Sequence, residues 1–348
     1  MSNHEVSPPP GGPPVPDEPA PATGTPTPAP SGHRTGFHTL RNGGLNWDSL
    51  PLRLFSKGNA RFWNPADVDL SRDAEDWQGL GGEARERILR LCAFFVAGEE
   101  AVTEDLQPFL RAMAAEGRLG DEMYLTQFAF EEAKHVQAFR LWLDALGVHE
   151  DLHGYVDDNP GYRALFYEEL PGSLEALLED PSPRNQVRAS VTYNHVIEGS
   201  LALTGYYAWN HVCTVRNLFP GMREIVRRIG DDERRHMAWG TFTCRRHVAA
   251  DDANWDAVRE RLDELLPHVM STVERGEEFP GSSGSRRYEL PPGELLRYAG
   301  DRALRRLGAI ESARGVPLSR IDVDAAPEEL EERFGEEDRQ AMAGLTGG

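Results

Sequence analysis

Cysteine is scarce. Only Cys92, Cys213 and Cys244 occur in 348 residues, none in a Cys-x-x-Cys pair, so no closed disulfide framework is expected and reduced core thiols are. Lysine is scarcer still, with Lys57 and Lys134 alone among 37 basic residues; 57 acids bring the formal net charge to -20. A surface of that sign repels phosphate backbones and anionic headgroups, which argues against nucleic acid and membrane surfaces as partners. No apolar run reaches the length of about eighteen residues that suits an integral membrane segment, and the N-terminus lacks the basic and apolar regions of a secretory leader. A soluble, cytoplasmic protein is expected. Clean two-residue alternation bounded by turn dipeptides is also missing, and with it the signature of a sheet.

What the chain does have is helical periodicity. The pattern predicts helices over Glu83–Glu116, Asp121–Leu146, Gly161–Leu178, Arg184–Asn217, Gly221–His247, Asp252–Glu274 and Gly293–Arg314, punctuated by Gly117, Gly147, Pro181, Pro220 and Pro280. Long helices joined by short turns predict an all-α, antiparallel bundle. Residues 1–34 hold 11 of the 25 prolines and almost no large apolar side chains, and are expected to be a disordered arm. Residues 35–80, with Trp47, Phe55, Phe62, Trp63 and Trp77, predict an aromatic strap on a helical domain that extends over residues 35–314. Residues 315–348 carry nine acids against Arg320, Arg333 and Arg339, which predicts a flexible acidic tail with one frayed helix near Glu328–Phe334.

Two of the predicted helices carry one polar signature: Glu132-Ala-Lys-His135 in "FEEAKHVQAF" and Glu233-Arg-Arg-His236 in "IGDDERRHMAWG". A spacing of three puts carboxylate and imidazole on one helical face. Apolar neighbours share those faces, and ionised groups buried among them would cost several kcal/mol each without a neutralising cation. Two further helices offer a carboxylate in an apolar stretch, Glu99 in "LCAFFVAGEEAVTEDL" and Glu198 in "NHVIEGSLALTGYYAW". Four Glu and two His in this order make the inventory of a ferritin-like dinuclear carboxylate site. Oxygen-rich ligation with one imidazole per metal suits iron or manganese. Glu100, Glu131 and Asp232 stand one residue away from these positions, about 100° around the helix, and are expected to be charges on the outer face.

The same residues resemble the ligand-binding oxidases related to the ribonucleotide reductase small subunit. The resemblance runs from about Ser49 to Val248 and rests on "LPLRLFSKGNARFWNPADVDLSRDAEDW", "GEEAVTEDLQPFLRAMAAEGRLGDEMYLTQFAFEEAKH", "TYNHVIEGSLALTGYYAW" and "DDERRHMAWG". It implies a small-subunit-like bundle with extra helices that activates dioxygen, and a homodimer is expected. It also implies a manganese held by Glu99, Glu132 and His135 and an iron held by Glu198, Glu233 and His236, with a di-iron form as the other option. The family carries an ether cross-link between a Val three residues after the first Glu ligand and a Tyr five before the third, which are Val102 and Tyr193 here. Val102 lies one turn past Glu99 and offers a tertiary Cβ–H. Tyr193 would sit about 140° from Glu198 on an ideal helix, so a π-type widening is expected between them. Family members hold a long-chain fatty acid with its carboxylate on the metals. Tyr206, eight residues past Glu198, is expected near that ligand, as a hydrogen-bond partner, an electron relay or a structural tyrosine.

The resulting expectation is an oxidoreductase that activates dioxygen for two-electron C–H oxidation. The alternative is a reductase small subunit without its radical tyrosine, since Phe139 stands one turn after His135; against it, radical delivery needs a redox-active aromatic near the C-terminus, and no Tyr or Trp follows Tyr298. A metal-storage bundle and an oxygenase with the same ligand set are the remaining readings.

Overall fold

The computed structural model describes residues 36–277 and 293–346. The arm expected over residues 1–34 lies outside them. All regular structure among the described residues is helical: α1 (Leu50–Ala60), α2 (Ser71–Gly79), α3 (Gly82–Asp105), α4 (Gln107–Glu116), α5 (Leu119–Leu146), α6 (His153–Asp157), α7 (Pro160–Arg163), α8 (Leu170–Glu179), α9 (Pro183–Ser190), α10 (Leu203–Arg216), α11 (Pro220–Ala250), α12 (Ala253–Glu277), α13 (Glu294–Glu311), α14 (Leu318–Ile321) and α15 (Ala326–Thr346). Short 3-10 turns lie at His38–Leu40 and Pro65–Asp67, and π segments join α7 to α8 (Ala164–Glu169) and α9 to α10 (Val191–Ala202).

Local chemistry sets the boundaries. Gly117 and Gly147 end α4 and α5 in the left-handed conformation, at φ 70° and 73°. The single helix expected over Glu83–Glu116 breaks at Leu106, because Pro108 has no amide proton to continue the ladder and instead sits in the first turn of α4. The helix expected over Arg184–Asn217 is three segments in line, with the π segment in the middle.

α11 is the axis of the molecule. Nearly every side chain from Ile229 to Val248 is buried, and α15, α10, the Val191–Ala202 segment, α9 and α13 all pack on it. α5 packs against α3, α1 and α4, burying Tyr124, Phe128, Glu132, His135, Phe139 and Trp142 along one face. The strap is itself helical over α1 and α2; its Trp63 and Trp77 are buried, while Trp47 and Phe62 face solvent. Cys92, Cys213 and Cys244 are free and buried, and burial pushes each thiol up to about 12. None of the helices among the described residues is long and apolar enough to cross a membrane.

The flexible tail is not found. α15 lies along α11 and α10 with Leu330, Glu331 and Phe334 buried. Its acids are neutralised from elsewhere in the chain: Glu328 by Arg53 and Lys57, Glu331 by Arg306, Glu337 by Arg302 and Arg305, and Asp338 by Arg234 and Arg302. Local composition shows the acids without these distant partners.

Candidate metal centre

Four elements converge on one buried cluster. α3 brings Glu99, α5 brings Glu132 and His135, the π segment brings Glu198, and α11 brings Glu233 and His236. All six are buried. They form two overlapping groups whose ligand atoms lie within 4.8 Å of one another: Glu99, Glu132, His135 and Glu233 in one, and Glu132, Glu198, Glu233 and His236 in the other. Glu132 and Glu233 belong to both groups, whereas the family resemblance implies three residues to each metal. His135 Nδ1 lies 3.3 Å from Glu99, 3.5 Å from Glu132 and 3.4 Å from Glu233. His236 Nδ1 lies 3.1 Å from Glu132, 3.3 Å from Glu198 and 3.8 Å from Glu233.

The residues fit a metal pair. Glu132 Oε2, Glu198 Oε1, Glu233 Oε2 and His236 Nδ1 are buried without a hydrogen bond, an arrangement that costs free energy unless a cation completes it. Four carboxylates and two neutral imidazoles balance two divalent ions. Without metal, protons take that role. Burial pushes Glu99 up to about 8 and Glu198 well above the carboxylate range. Burial acts the same way on Glu132, but the charge of the nearby His236 and His135 imidazoles holds it below its ordinary value. Surrounding carboxylates overcome burial at both imidazoles and raise them.

Each imidazole is aimed by a carboxylate from the opposite motif. His135 Nε2 lies 3.2 Å from Asp232 Oδ2 on α11, and His236 Nε2 lies 3.0 Å from Glu131 Oε2 on α5. An Nε2–H donated outward leaves the Nδ1 lone pair facing the cluster. Arg235 ties the two supports together, 2.6 Å from both Glu131 and Asp232. Lys134 Nζ and Trp63 Nε1 reach Asp232 as well, at 2.7 and 2.8 Å. Glu131 and Asp232 are therefore not outer-face charges as expected; only Glu100 is exposed. The signal was present in sequence as the basic residues inside both motifs, Lys134 and Arg235, which are buried as their counter-charges.

The remaining candidates also meet here. Tyr193 Oη donates to the Val102 carbonyl at 3.1 Å and lies 3.5 Å from Glu132 Oε1. The widening expected between Tyr193 and Glu198 is the π segment, whose i to i+5 bonding brings residues five apart to one face. Tyr206 hydrogen-bonds to Glu99 on α3, not to Glu198, and stacks on Phe95 with centroids 4.6 Å apart. Asn194 donates to Glu198 Oε2 at 2.9 Å, and Phe128 stacks on His236 at 3.6 Å; neither was anticipated. Phe139 stacks on Phe95 with centroids 5.6 Å apart.

Residues 52–274 match the family "Ribonucleotide reductase, small chain". Among solved structures, the R2-like ligand-binding oxidase of Sulfolobus acidocaldarius is 34% identical, with a TM-score of 0.74 over 82% of this chain and 98% of that one. An R2-like ligand-binding oxidase with aerobically reconstituted Mn/Fe cofactor is 35% identical, with a TM-score of 0.75 over 80% of this chain and 98% of that one. With the fold, the two Glu-x-x-His motifs and these likenesses in agreement, the chain belongs to the ribonucleotide reductase small-chain family of dinuclear-metal oxidoreductases, in its R2-like ligand-binding oxidase branch.

Proposed function

We propose that this chain is a manganese- and iron-dependent oxidase. Glu99 and His135 hold one ion, usually manganese in the family, Glu198 and His236 hold the other, usually iron, and Glu132 and Glu233 serve both. The observation that carries this reading is the two-lobed, fully buried ligand cluster with four unpartnered ligand atoms. The bound pair supplies reduction of dioxygen, chemistry that no side chain performs.

The protein's own groups then define an internal C–H oxidation. Tyr193 keeps its proton in the resting site, since burial pushes its phenol well above the ordinary value. Its Oη is fixed by the Val102 carbonyl, and Glu132 Oε1 is the nearest carboxylate to receive the proton. Loss of that O–H and of the Val102 Cβ–H, with the two electrons passing to dioxygen, leaves an ether bond between the side chains. A long-chain fatty acid, held by family members with its carboxylate on the metals, belongs to the same reading. A homodimer in the cytoplasm completes the proposal, and the exposed Phe62–Phe130 stack offers apolar surface to a second copy.

The test is peptide mapping by mass spectrometry after anaerobic loading with Mn(II) and Fe(II) and exposure to air. Trypsin places Val102 in Leu91–Arg111 and Tyr193 in Ala189–Arg216. The two peptides joined, with two hydrogens missing, are expected. Separate peptides with both metals bound would remove the cross-link and favour the reductase or oxygenase reading of the same site. Val102→Ala should keep both metals and lose the link.

A further inference from the structure

The π segment that carries Glu198 is held from outside the region of the family match. Arg306 on α13 donates from Nη1 to the Gly199 carbonyl at 3.1 Å, one residue past Glu198. Its other two nitrogens, Nε and Nη2, donate to Glu331 on α15 at 2.6 and 2.8 Å. Both side chains are buried, and the guanidinium lies over the Phe334 ring at 5.1 Å. A planar guanidinium is suited to this task, because one fork grips a carboxylate while the remaining donor points elsewhere in a fixed direction. Position 199 has no side chain for a matching reason: a Cβ there would lie 3.0 Å from Arg306 Nη1 and 2.7 Å from Met237 Cε.

The segment needs such a hold. A π run is a costly alternative to the α-helix and persists where surroundings impose it. Here side chains take its carbonyls, Ser200 Oγ bonding the His195 carbonyl at 2.9 Å and Arg306 the Gly199 carbonyl. The register matters for chemistry, since relaxation to an α-helix would turn Tyr193 about 140° away from Glu198. Buried ion pairs contribute little net stability compared with apolar packing, so a bidentate pair at this point is better explained by the geometry it imposes.

We propose that Arg306, clamped by Glu331, is a positioning residue that holds the π register of Val191–Ala202 and thereby sets Glu198 in the ligand cluster with Tyr193 on the same face. The inference rests on the reading of Glu198 as a metal ligand. It makes α13 and α15 part of the metal site's support, although neither contributes a ligand.

The deciding experiment compares the full-length protein with the double variant Arg306→Met/Glu331→Leu, which replaces the pair by apolar side chains and leaves no buried charge. Circular dichroism reports the fold, chelator competition with Mn(II) and Fe(II) reports each metal position, and peptide mapping reports the Val102–Tyr193 link. The variant is expected to stay helical, to lose about tenfold or more affinity at the Glu198–His236 position with the Glu99–His135 position unchanged, and to form less cross-link. Wild-type affinity at both positions with full cross-linking would overturn the proposal, as would equal weakening at both, which marks general loosening. If the double variant does not fold, Arg306→Lys decides: its ammonium lacks the fork that reaches both partners, and wild-type binding there overturns the proposal equally. Glu198→Ala runs alongside; tight binding retained at that position would refute the ligand assignment itself, separately from the clamp.

Discussion

At the scale of single residues, the candidate ligands depend on groups outside the ligand cluster. Glu131 and Asp232 accept from the imidazoles of the opposite helix, so a change in either alters the direction and basicity of a ligand while leaving the ligand in place. Glu131→Gln is expected to weaken the metal at the His236 position about 10- to 100-fold and to leave the His135 position nearly unchanged, as read by chelator competition. Tyr206→Phe removes the hydroxyl that bonds Glu99, and hydrogen bonds to charged groups contribute about 1.5–3 kcal/mol. The metal at the Glu99 position should therefore bind about tenfold or more weakly, in a titration where the Glu198 position serves as internal reference. Equal losses at both positions would show that Tyr206 supports the bundle and not this ligand.

Elements, and not residues, determine how closely the ligand-bearing helices approach. α11 meets the π segment at Gly240, where a Cβ would lie 2.4 Å from Asn194 Cβ and 2.5 Å from its Cγ. Asn194 is the side chain that holds Glu198 Oε2, so the contact passes directly to the cluster. Gly240→Ala should destabilise the protein by about 1–3 kcal/mol through overpacking, seen in calorimetry as a lower Tm, and should reduce metal binding at the Glu198 position. Helix periodicity made the ligand helices legible in the sequence, and once the family resemblance pointed to Tyr193, its angle of about 140° from Glu198 on an ideal helix favoured a widened turn. The break at Leu106 was legible only as Pro108. Neither periodicity nor a proline reveals that α11 would be the axis, because that follows from which faces the other helices cover.

For the whole molecule, protons and metals compete for one buried charge. Glu99 is raised from its ordinary 4.5 to about 8 in the metal-free fold, chiefly by burial. The native metal-free state therefore binds more protons than the unfolded chain between those values, and its stability falls as pH rises from 4.5 towards 8, by about 1.4 kcal/mol per pH unit for one such group. Metal loading replaces those protons with cations. The gain in Tm on loading should accordingly grow from pH 5 to pH 8, and calorimetry in buffers of different ionisation enthalpy should record protons released on binding. A gain independent of pH would contradict protonation of the empty cluster. Truncation after Arg314 tests the packing of α15. A flexible tail could be removed without effect, whereas here the cut removes the carboxylate partner of Arg306 and the buried Leu330 and Phe334, and should lower stability by several kcal/mol (about 1.5–3 for each large apolar side chain lost), measured by denaturant unfolding.

The sequence alone determined the helical class and placed the six candidate ligands on their helix faces, because a period of 3.6 and a spacing of three do so without reference to the rest of the chain. The Val102–Tyr193 pair came only with the family resemblance that the sequence also carried. Tertiary structure decided what depends on distant partners: that Glu132 and Glu233 belong to both halves of the cluster, that Tyr206 bonds Glu99, that Glu131 and Asp232 are buried supports, and that the acidic C-terminal segment is a packed helix. The physical reason is common to all four. A charge looks solvated when only its sequence neighbours are visible, and its burial is settled by counter-charges such as Arg235 and Arg306 that the fold brings from other helices.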